Sequence, residues 1–206
     1  MRVKLKQEAR KLYDASFILL RDDIKIGCVS FQGGRYSRES VIKIILFGEE
    51  ILLKREYRVD RKGKKTHRPY RILKDDKKCG EVFQTFKKTG FLREYGFQYA
   101  NYNDTEYTMY PIGFGDEGAK NPIYCGDVQV ALVKKPSVIV DDMYDFDIIV
   151  KDDSFLTISI IITSYLYAKA FFRPGEVIKK GIVKSLTVTS EKELISRYDD
   201  SFEKNY

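Results

Sequence analysis

The chain offers one histidine and three cysteines for nucleophilic or acid-base chemistry. His67 is the only histidine, and Cys28, Cys79 and Cys125 have no C-x-x-C spacing. A Cys-His pair would have to use His67 with Cys79 as the thiol, because the base must ionise the nucleophile. His67 stands in a strongly cationic segment around Gly63, where a general base held in fixed geometry is not expected. We therefore expect no catalytic residues and no enzymatic activity.

Metal and nucleotide sites are also weakly indicated. Asp145 and Asp147 would share one face of a strand, with Asp141 and Asp142 just before them, but no glycine-containing calcium loop accompanies these carboxylates. We expect them to form turns or to face solvent. The segment from Gly113 to Gly118 satisfies G-x-G-x-x-G, yet another strand is expected after it instead of a helix. The sequence therefore predicts an inter-strand loop here, and neither a metal nor a cofactor.

Positive charge is concentrated in one segment of the chain. The net charge is +7, and the range Lys54 to Lys78 contains twelve lysines and arginines against four acids. Such a segment can attract the phosphates of lipid headgroups or of nucleic acid, or it can simply be a solvated hairpin loop. We take it as the candidate site for an anionic headgroup, formed by Arg61, Lys62, Lys64, Lys65 and Arg68.

A repeated segment indicates the elements that would position these groups. Residues 17–32 and 70–85 align without a gap, and six positions are identical, among them both residues of each Asp-Asp pair and a glycine, Gly27 or Gly80. Each copy reads as an apolar run, an Asp-Asp turn and a second run, which is typical of a β-hairpin. A shorter echo occurs at residues 125–128. The glycine of each copy predicts a β-bulge or a close backbone approach.

The remaining sequence before residue 151 also consists of short apolar and aromatic runs separated by turn residues. With the hairpins these runs predict about eleven or twelve strands. A meander of that length must protect its edges, most simply by closing into a barrel. A barrel that holds a helix, which is about 10 Å wide, needs more than eight strands.

The run from Phe155 to Phe172 predicts that helix. Asp152, Asp153 and Ser154 offer N-cap oxygens before it, and Arg173-Pro174-Gly175 ends it. Its length would suit either a bilayer or a protein core. Polar residues within the run and Lys169 favour the core. The predicted fold is therefore mainly β, a closed antiparallel barrel of about twelve strands around a central hydrophobic helix at about 154–172, without a transmembrane span.

The domain organisation follows from this fold. Residues 1–175 are predicted to form the barrel with its helix, and residues 176–206 a C-terminal extension of the same domain. A strand is expected within Gly181 to Thr189, and the S-x-x-E pattern from Ser190 to Glu193 indicates a short helix. The odd number of cysteines and the absence of an apolar leader at the N-terminus predict a cytoplasmic location, with peripheral attachment to a membrane as an option.

The repeated hairpins, the buried C-terminal helix and the opening residues Leu5 to Asp23 resemble the tubby C-terminal-like superfamily, and especially its LURP-one-related branch, which is related to the phospholipid scramblases. The resemblance covers about residues 1–172 and implies a twelve-stranded barrel around a hydrophobic helix. Tubby proteins hold phosphoinositide headgroups in a basic pocket, but no motif here matches those residues position by position. The proline-rich segment and the palmitoylated cysteine cluster of scramblases are missing, and the segment after Arg173 departs from the family pattern.

Two classes of function follow. The first is a non-enzymatic tubby-like domain that binds anionic, phosphoinositide-like lipid headgroups through the basic segment. The alternative is a protein-interaction or scaffold module with an unknown partner. Nucleic acid is a less favoured partner, because the basic segment is short and carries no recognised nucleic-acid motif.

Overall fold

The chain forms a closed antiparallel β-barrel with a helix inside it. The computed structural model describes residues 1–33, 40–55, 69–88, 94–186, 188–189 and 192–206. Its β-strands are β1 (Arg2–Arg10), β2 (Asp14–Arg21), β3 (Ile24–Gln32), β4 (Val41–Leu46), β5 (Glu49–Arg55), β6 (Tyr70–Lys74), β7 (Lys77–Lys88), β8 (Glu94–Tyr102), β9 (Thr105–Met109), β10 (Ile112–Gly113), β11 (Ala119–Cys125), β12 (Val128–Lys135), β13 (Val138–Val140), β14 (Asp145–Val150) and β15 (Ile182–Lys184).

The barrel closes through the pairing of β9 with β11. Strands β1 to β9 follow one another around the sheet, β14 and then β12 continue it beyond β1, and β11 pairs with both β12 and β9. The closing contact places Met109 opposite Ile123. Twelve strands therefore form the ring, as the sequence predicts, while β10 is a short addition to β11. Closure leaves no long unpaired edge on the main sheet.

Alternation of side chains along each strand builds the barrel interior. In β1, Val3, Leu5 and Gln7 are buried while the residues between them are exposed. Several strands that follow in the ring repeat this pattern, so one face of the sheet is apolar and faces inward. This inner face forms the principal core together with the helix.

The two repeated hairpins have the predicted geometry. One extra residue, Ile26, interrupts the pairing of β2 with β3 directly before Gly27, and Cys79 does the same before Gly80. A methyl group at Gly27 would lie 2.1 Å from the carbonyl oxygen of Ile45, and one at Gly80 only 2.0 Å from a carbonyl oxygen of β8. Both glycines therefore combine a bulge with a close backbone approach, which only glycine permits.

The third echo of the repeat has a different geometry, so the prediction for its glycine is wrong. Gly126 lies in the turn between β11 and β12 with φ of 60°, and no atom would contact a methyl group added there. The bulge of this hairpin falls at Val130 instead. Residues 125–128 therefore belong to a hairpin as the second repeat does, but Gly126 lies in the turn, whereas Gly80 lies in the second strand.

The apolar run near residue 155 forms the helix inside the barrel. A 3₁₀ turn (Asp153–Phe155) leads into α1 (Leu156–Ala170), and the Asp152 carboxylate accepts a hydrogen bond from the Ser154 amide at 2.9 Å. Residues 158–167 of α1 are all buried, on every face of the helix. The helix is buried on all its faces because strands surround it on all sides.

The C-terminal extension packs on the outside of the barrel. Helix α2 (Lys192–Arg197) buries Leu194 against Tyr110, Ile112 and Tyr124, and helix α3 (Phe202–Asn205) buries Phe202 against outward-facing residues of β12 and β14. The Tyr124 hydroxyl donates to the carbonyl of Arg197 at 2.8 Å. Before these helices, β15 pairs with β13 in a separate two-stranded ribbon. The strand and the short helix that the sequence predicts in this region are thus both confirmed.

Candidate functional site

The two ends of the barrel are built from different kinds of connection. At one end, five hairpins close through two residues each: Asp22-Asp23, Phe47-Gly48, Asp75-Asp76, Asn103-Asp104 and Gly126-Asp127. Most of these residues have φ between 49° and 84°, the left-handed conformation of tight hairpin turns. Helix α1 enters the barrel here, after β14. We call this the tight-turn end.

At the opposite end the connections are longer. Here β3 passes to β4 through residues 33–40, β5 to β6 through 56–69, β7 to β8 through 89–93, and β12 to β14 through 136–144. Helix α1 leaves the barrel at this end as well, where Arg10 at the end of β1 contacts Phe171. We call this the long-connection end. Variable connections held on a rigid scaffold are the usual location of binding residues.

The sequences of the connections at the two ends differ in net charge. Residues 10–13, 33–40, 56–69, 89–93, 110–118, 136–144 and 171–186 make up the connections of the long-connection end, and they contain fifteen basic and eight acidic residues. The turns and their neighbours at the tight-turn end, residues 21–25, 47–50, 74–78, 103–104, 126–127 and 151–153, contain six basic and ten acidic residues. Positive charge is therefore in excess in the sequence of the connections at the long-connection end, and nine of the fifteen basic residues fall outside the described residues.

The mouth of the barrel at the long-connection end is closed around the last turn of α1. The Arg10 guanidinium lies 3.1 Å from the Asp142 carboxylate and donates to the carbonyl of Phe171 at 2.9 Å. The side chains of Arg10 and Asp142 are largely buried. A cation at a helix C-terminus also compensates the helix dipole. Arg10 thus holds the helix in place and is not available to an external anion.

A second buried cation, Lys135, lies at the same mouth. Its ammonium group donates to the carbonyl of Pro136 at 3.0 Å and lies 5.6 Å from the centre of the Phe171 ring. Burial lowers the pKa of Lys135, because the charged form loses its hydration. The pKa of Tyr144, whose ring stacks on Phe171 at 4.7 Å, is raised by burial. This layer of charged and aromatic groups seals the interior from solvent.

The barrel interior is filled by α1, and most polar groups of the helix are hydrogen-bonded within it or to the wall, while the buried Ser164 hydroxyl has no partner among the described residues. The Ser159 hydroxyl donates to the carbonyl of Phe155, and the Thr163 hydroxyl donates to the carbonyl of Ser159, at 2.7 Å each. Tyr165 reaches the wall and accepts a hydrogen bond from the backbone amide of Gln84 at 2.8 Å. Burial raises the pKa of Tyr167, whose hydroxyl accepts from Gln7, to about 12. These contacts attach the central helix to the barrel wall. A ligand would therefore bind outside the barrel.

The predicted headgroup residues Arg61, Lys62, Lys64, Lys65 and Arg68 lie outside the described residues, as does His67. Strand β5 precedes them in the chain and β6 follows them, and the two strands pair through Arg55 and Tyr70 at the long-connection end. The segment 56–68 joins these two strands in the sequence, and it contains six basic and two acidic residues. It is the most basic of the connections at that end.

Further cations of the long-connection end belong to the C-terminal extension, and the sequence analysis did not include them in the site. Lys179, Lys180 and Lys184 are exposed. Lys184 forms an ion pair of 2.6 Å with Asp116, whereas no carboxylate of the described residues pairs with Lys179 or Lys180. The Lys179-Lys180 pair directly before an apolar run is the signal that could have identified them.

The alternative chemistries find little support among the described residues. The Cys79 thiol donates to the carbonyl of Ile72 at 3.5 Å, and burial raises its pKa, which disfavours the reactive thiolate. All three cysteines are free. Asp141 and Asp142 form a tight turn, with φ of 51° and 59°, and Asp145 accepts from the backbone amide of Gln7 at 3.1 Å. In the described ranges no group of three or more histidine, cysteine or acidic side chains could hold a metal ion.

The G-x-G-x-x-G segment is the predicted inter-strand loop. Residues Gly115–Glu117 form a 3₁₀ turn, and β11 follows directly instead of a helix. Gly118, with φ of 89°, packs so tightly that a methyl group there would lie 2.1 Å from the carbonyl oxygen of Lys135. The glycine therefore serves strand packing and not phosphate binding.

A cavity of about 770 Å³ on the outer wall lies along β7 and β8, near the tight-turn end. Phe83 and Tyr99 form an aromatic pair in it, with ring centres 5.0 Å apart. Burial is the main cause that raises the pKa of Tyr99 to about 12. The cationic residue that lines the cavity, Lys78, has its ammonium nitrogen 3.5 Å from the Glu81 carboxylate. The lining is polar and partly acidic, so this cavity does not fit an anionic headgroup.

No helix in the described part of the chain has the length and apolar character required to cross a membrane. Comparison of the chain with protein-family models, with curated proteins and with solved structures gives no match, so the resemblance to tubby-like proteins stays a prediction from the sequence.

Proposed function

We propose that the protein is a non-enzymatic, tubby-like barrel that binds anionic lipid headgroups at its long-connection end. The observation that carries the proposal is the uneven charge of the barrel, with fifteen basic and eight acidic residues in the connections of one end and six basic and ten acidic residues around the turns of the other. Opposite charge at the two ends orients a protein near an anionic surface before any contact forms.

The architecture supports a surface ligand over an enclosed one. Helix α1 fills the barrel, and the ion pair of Arg10 with Asp142 is part of the closure of the mouth. The binding groups would therefore be the exposed cations of the connections, with Arg61, Lys62, Lys64, Lys65 and Arg68 as the core of the site. Such a protein would work in the cytoplasm and attach peripherally to a membrane.

Co-sedimentation with lipid vesicles tests the proposal. The wild-type protein is expected to sediment with vesicles of phosphatidylcholine that contain phosphatidylserine or a phosphoinositide, and not with phosphatidylcholine alone. Each basic residue near an anionic surface contributes about 1 kcal/mol, so the triple variant K62E/K64E/K65E should bind at least about a hundredfold more weakly. The matched control is K25E/K77E/K151E, three exposed lysines near the tight-turn end.

Two results would contradict the proposal. One is equal binding to neutral and anionic vesicles. The other is an equal loss of affinity in the two triple variants, because net charge alone would then explain the binding. A gel shift with RNA and DNA at low salt completes the test, since retardation of nucleic acid without vesicle binding would assign the basic segment to a different partner.

A protein-interaction module is the second candidate. The exposed apolar side chains of the β13–β15 ribbon favour it, because contiguous apolar surface on a folded protein marks an interaction site. Absence of vesicle binding, together with self-association in sedimentation velocity, would favour this candidate over the first.

A further inference from the structure

One face of the β13–β15 ribbon exposes a strip of aliphatic side chains. Val140 lies opposite Ile182 and Val138 opposite Lys184, so these four side chains share a face of the ribbon. Ile182 is 77 % exposed, and Val188, which follows β15 in the chain, is 78 % exposed. The apolar strip consists of Val138, Val140, Ile182, Leu186 and Val188, each about half exposed or more.

The strip is held in a defined position and is not part of a loose tail. The Ser185 amide donates to the carbonyl of Ser137 at 2.7 Å, and the Gly181 amide donates to the Asp141 carboxylate at 2.8 Å. Further along, the Thr189 hydroxyl accepts from the backbone amide of Gly113 at 2.9 Å. On the opposite face of the ribbon Ile139 is buried, while Val183 beside it is 47 % exposed. The apolar side chains are therefore presented outward by backbone contacts with the rest of the protein.

The composition of the strip and of its surroundings discriminates between kinds of partner. Protein-protein hot spots are enriched in tryptophan, tyrosine and arginine, and lysine is depleted from such interfaces. The strip contains valine, isoleucine and leucine only, and Lys179, Lys180 and Lys184 lie exposed beside it in the chain. Lys184 is paired with Asp116, so a second copy of the chain would bring together the four lysines that have no carboxylate partner among the described residues, Lys179 and Lys180 of each copy. Aliphatic side chains bordered by lysines match a bilayer surface with acyl chains below anionic headgroups.

We infer that the apolar strip enters the headgroup and upper acyl region of an anionic bilayer while Lys179 and Lys180 contact the lipid phosphates. This inference rests on the proposed function and adds to it a second, apolar component of the membrane contact, contributed by the C-terminal extension. The connections of the long-connection end supply attraction to the surface, and the strip supplies the part of the binding that salt does not screen.

The absence of tryptophan from the chain makes insertion directly measurable. In I182W and V188W the introduced indole is the only one in the protein. Its fluorescence emission is expected to shift to shorter wavelength when phosphatidylcholine vesicles containing phosphatidylserine are added. The control is I24W, since Ile24 is 69 % exposed beside the Asp22-Asp23 turn at the opposite end of the barrel. Its emission should not change.

Affinity provides the second measurement. Burial of one aliphatic side chain corresponds to about a tenfold change in affinity, so I182S/V188S should bind anionic vesicles about a hundredfold more weakly, including at high salt. The matched control, I24S/V128S, replaces two apolar side chains of similar exposure near the tight-turn end and should bind as the wild type does. Circular dichroism establishes that each variant is folded.

The outcomes separate the inference from the proposed function. Binding of the wild type to anionic vesicles without an emission shift in I182W and V188W would overturn the inference and leave headgroup binding intact. Failure of the wild type to bind any vesicle would overturn both. Self-association of the wild type that I182S/V188S abolishes would assign the strip to a second copy of the chain and would also overturn the inference.

Discussion

The tight-turn end and the long-connection end of the barrel use their residues differently. At the tight-turn end, aspartate, asparagine and glycine stand where the backbone requires positive φ, and Gly27 and Gly80 stand where two strands approach too closely for a methyl group. At the long-connection end, most connections are longer than a turn requires and carry excess positive charge. Backbone geometry constrains nearly every turn of the first end, whereas at the second end it constrains particular positions, such as Gly118 and the Asp141-Asp142 turn, within longer connections.

The largest expected effect comes from the helix that both ends share. Ile161 lies in the middle of α1 and is fully buried. The variant I161D would bury an unpaired carboxylate at a cost of more than about 4 kcal/mol, a large part of the stability of a typical domain. We expect loss of the cooperative urea transition measured by circular dichroism. I24D, an exposed change, should unfold as the wild type does. A cooperatively folded I161D protein would contradict the core position of the helix.

Two glycines of the β7–β8 pair test whether the tight-turn end is the more constrained. Gly80 lies near the Asp75-Asp76 turn, and G80A would place a methyl group 2.0 Å from a backbone carbonyl oxygen, at an expected cost of about 3 kcal/mol. Gly96 lies toward the long-connection end. There the nearest atom to a new methyl group, at 2.8 Å, belongs to the flexible side chain of Gln84, so G96A should cost about 1 kcal/mol or less.

Urea unfolding of the two glycine variants measures this difference directly. A loss in G96A equal to that in G80A would show that the backbone at the two ends is equally constrained.

Two lysines test the electrostatic difference between the ends. Burial lowers the pKa of Lys135 at the long-connection end, while the hydrogen bond to Glu49 is the main cause that raises the pKa of Lys74 beside the Asp75-Asp76 turn. Because the unfolded chain holds the Lys135 proton more tightly, ionised Lys135 destabilises the folded protein at neutral pH. K135M should therefore raise the free energy of unfolding by about 1 kcal/mol at neutral pH.

The pH dependence distinguishes this effect from better packing by methionine. The advantage of K135M should be complete below the lowered pKa of Lys135 and should shrink as the pH rises toward 10.5, the ordinary lysine value. The control, K74M, removes a contribution that is present at neutral pH and is lost as the pH rises through the raised pKa of Lys74. This exposed lysine should have little effect. A K135M advantage that is constant with pH would refute the electrostatic explanation.

The smallest effect is expected at the turns themselves. Asp75 and Asp76 have φ of 50° and 58°, so replacement of the pair by Asn-Gly should stabilise the protein by about 0.5 to 1 kcal/mol. Asp141-Asp142 has the same backbone conformation at the long-connection end, but Asp141 accepts from the Gly181 amide and Asp142 pairs with Arg10. The same replacement there should destabilise. Thermal melting compares the two, and changes of equal sign would show that the side-chain contacts are unimportant.

The sequence predicted the architecture more completely than it predicted the individual strands. The repeated hairpins, the closed barrel and the buried helix are confirmed. Strand β1 was not among the predicted strands, although Val3, Leu5 and the inward-facing Gln7 alternate with charged residues. There Gln7 is satisfied by the Tyr144 amide and the Tyr167 hydroxyl, partners that are far away in the chain. Such a contact cannot be recognised from local pattern.

The basic segment of the candidate site was predictable from the sequence, but the apolar strip was not. The basic segment 56–68 is evident from the sequence, and the structure adds only that its flanking strands meet at the long-connection end. The apolar strip was not predicted as a surface. The apolar run Val138-Ile139-Val140 and the run after Gly181 are both typical of buried strands. Pairing β13 with β15 in a two-stranded ribbon leaves one face of β13 and both faces of β15 without a covering layer.

The sequence by itself determined the local geometry of the hairpins, the extent of the apolar helix and the position of the basic segment along the chain, because turn residues, apolar runs and charge act over short distances. Tertiary structure decided which connections meet at one end of the barrel, that Arg10 and Lys135 close its mouth, and that the β13–β15 ribbon exposes aliphatic side chains. The physical reason is that strand pairing across a closed sheet joins residues more than a hundred positions apart, such as Arg2 and Ile149.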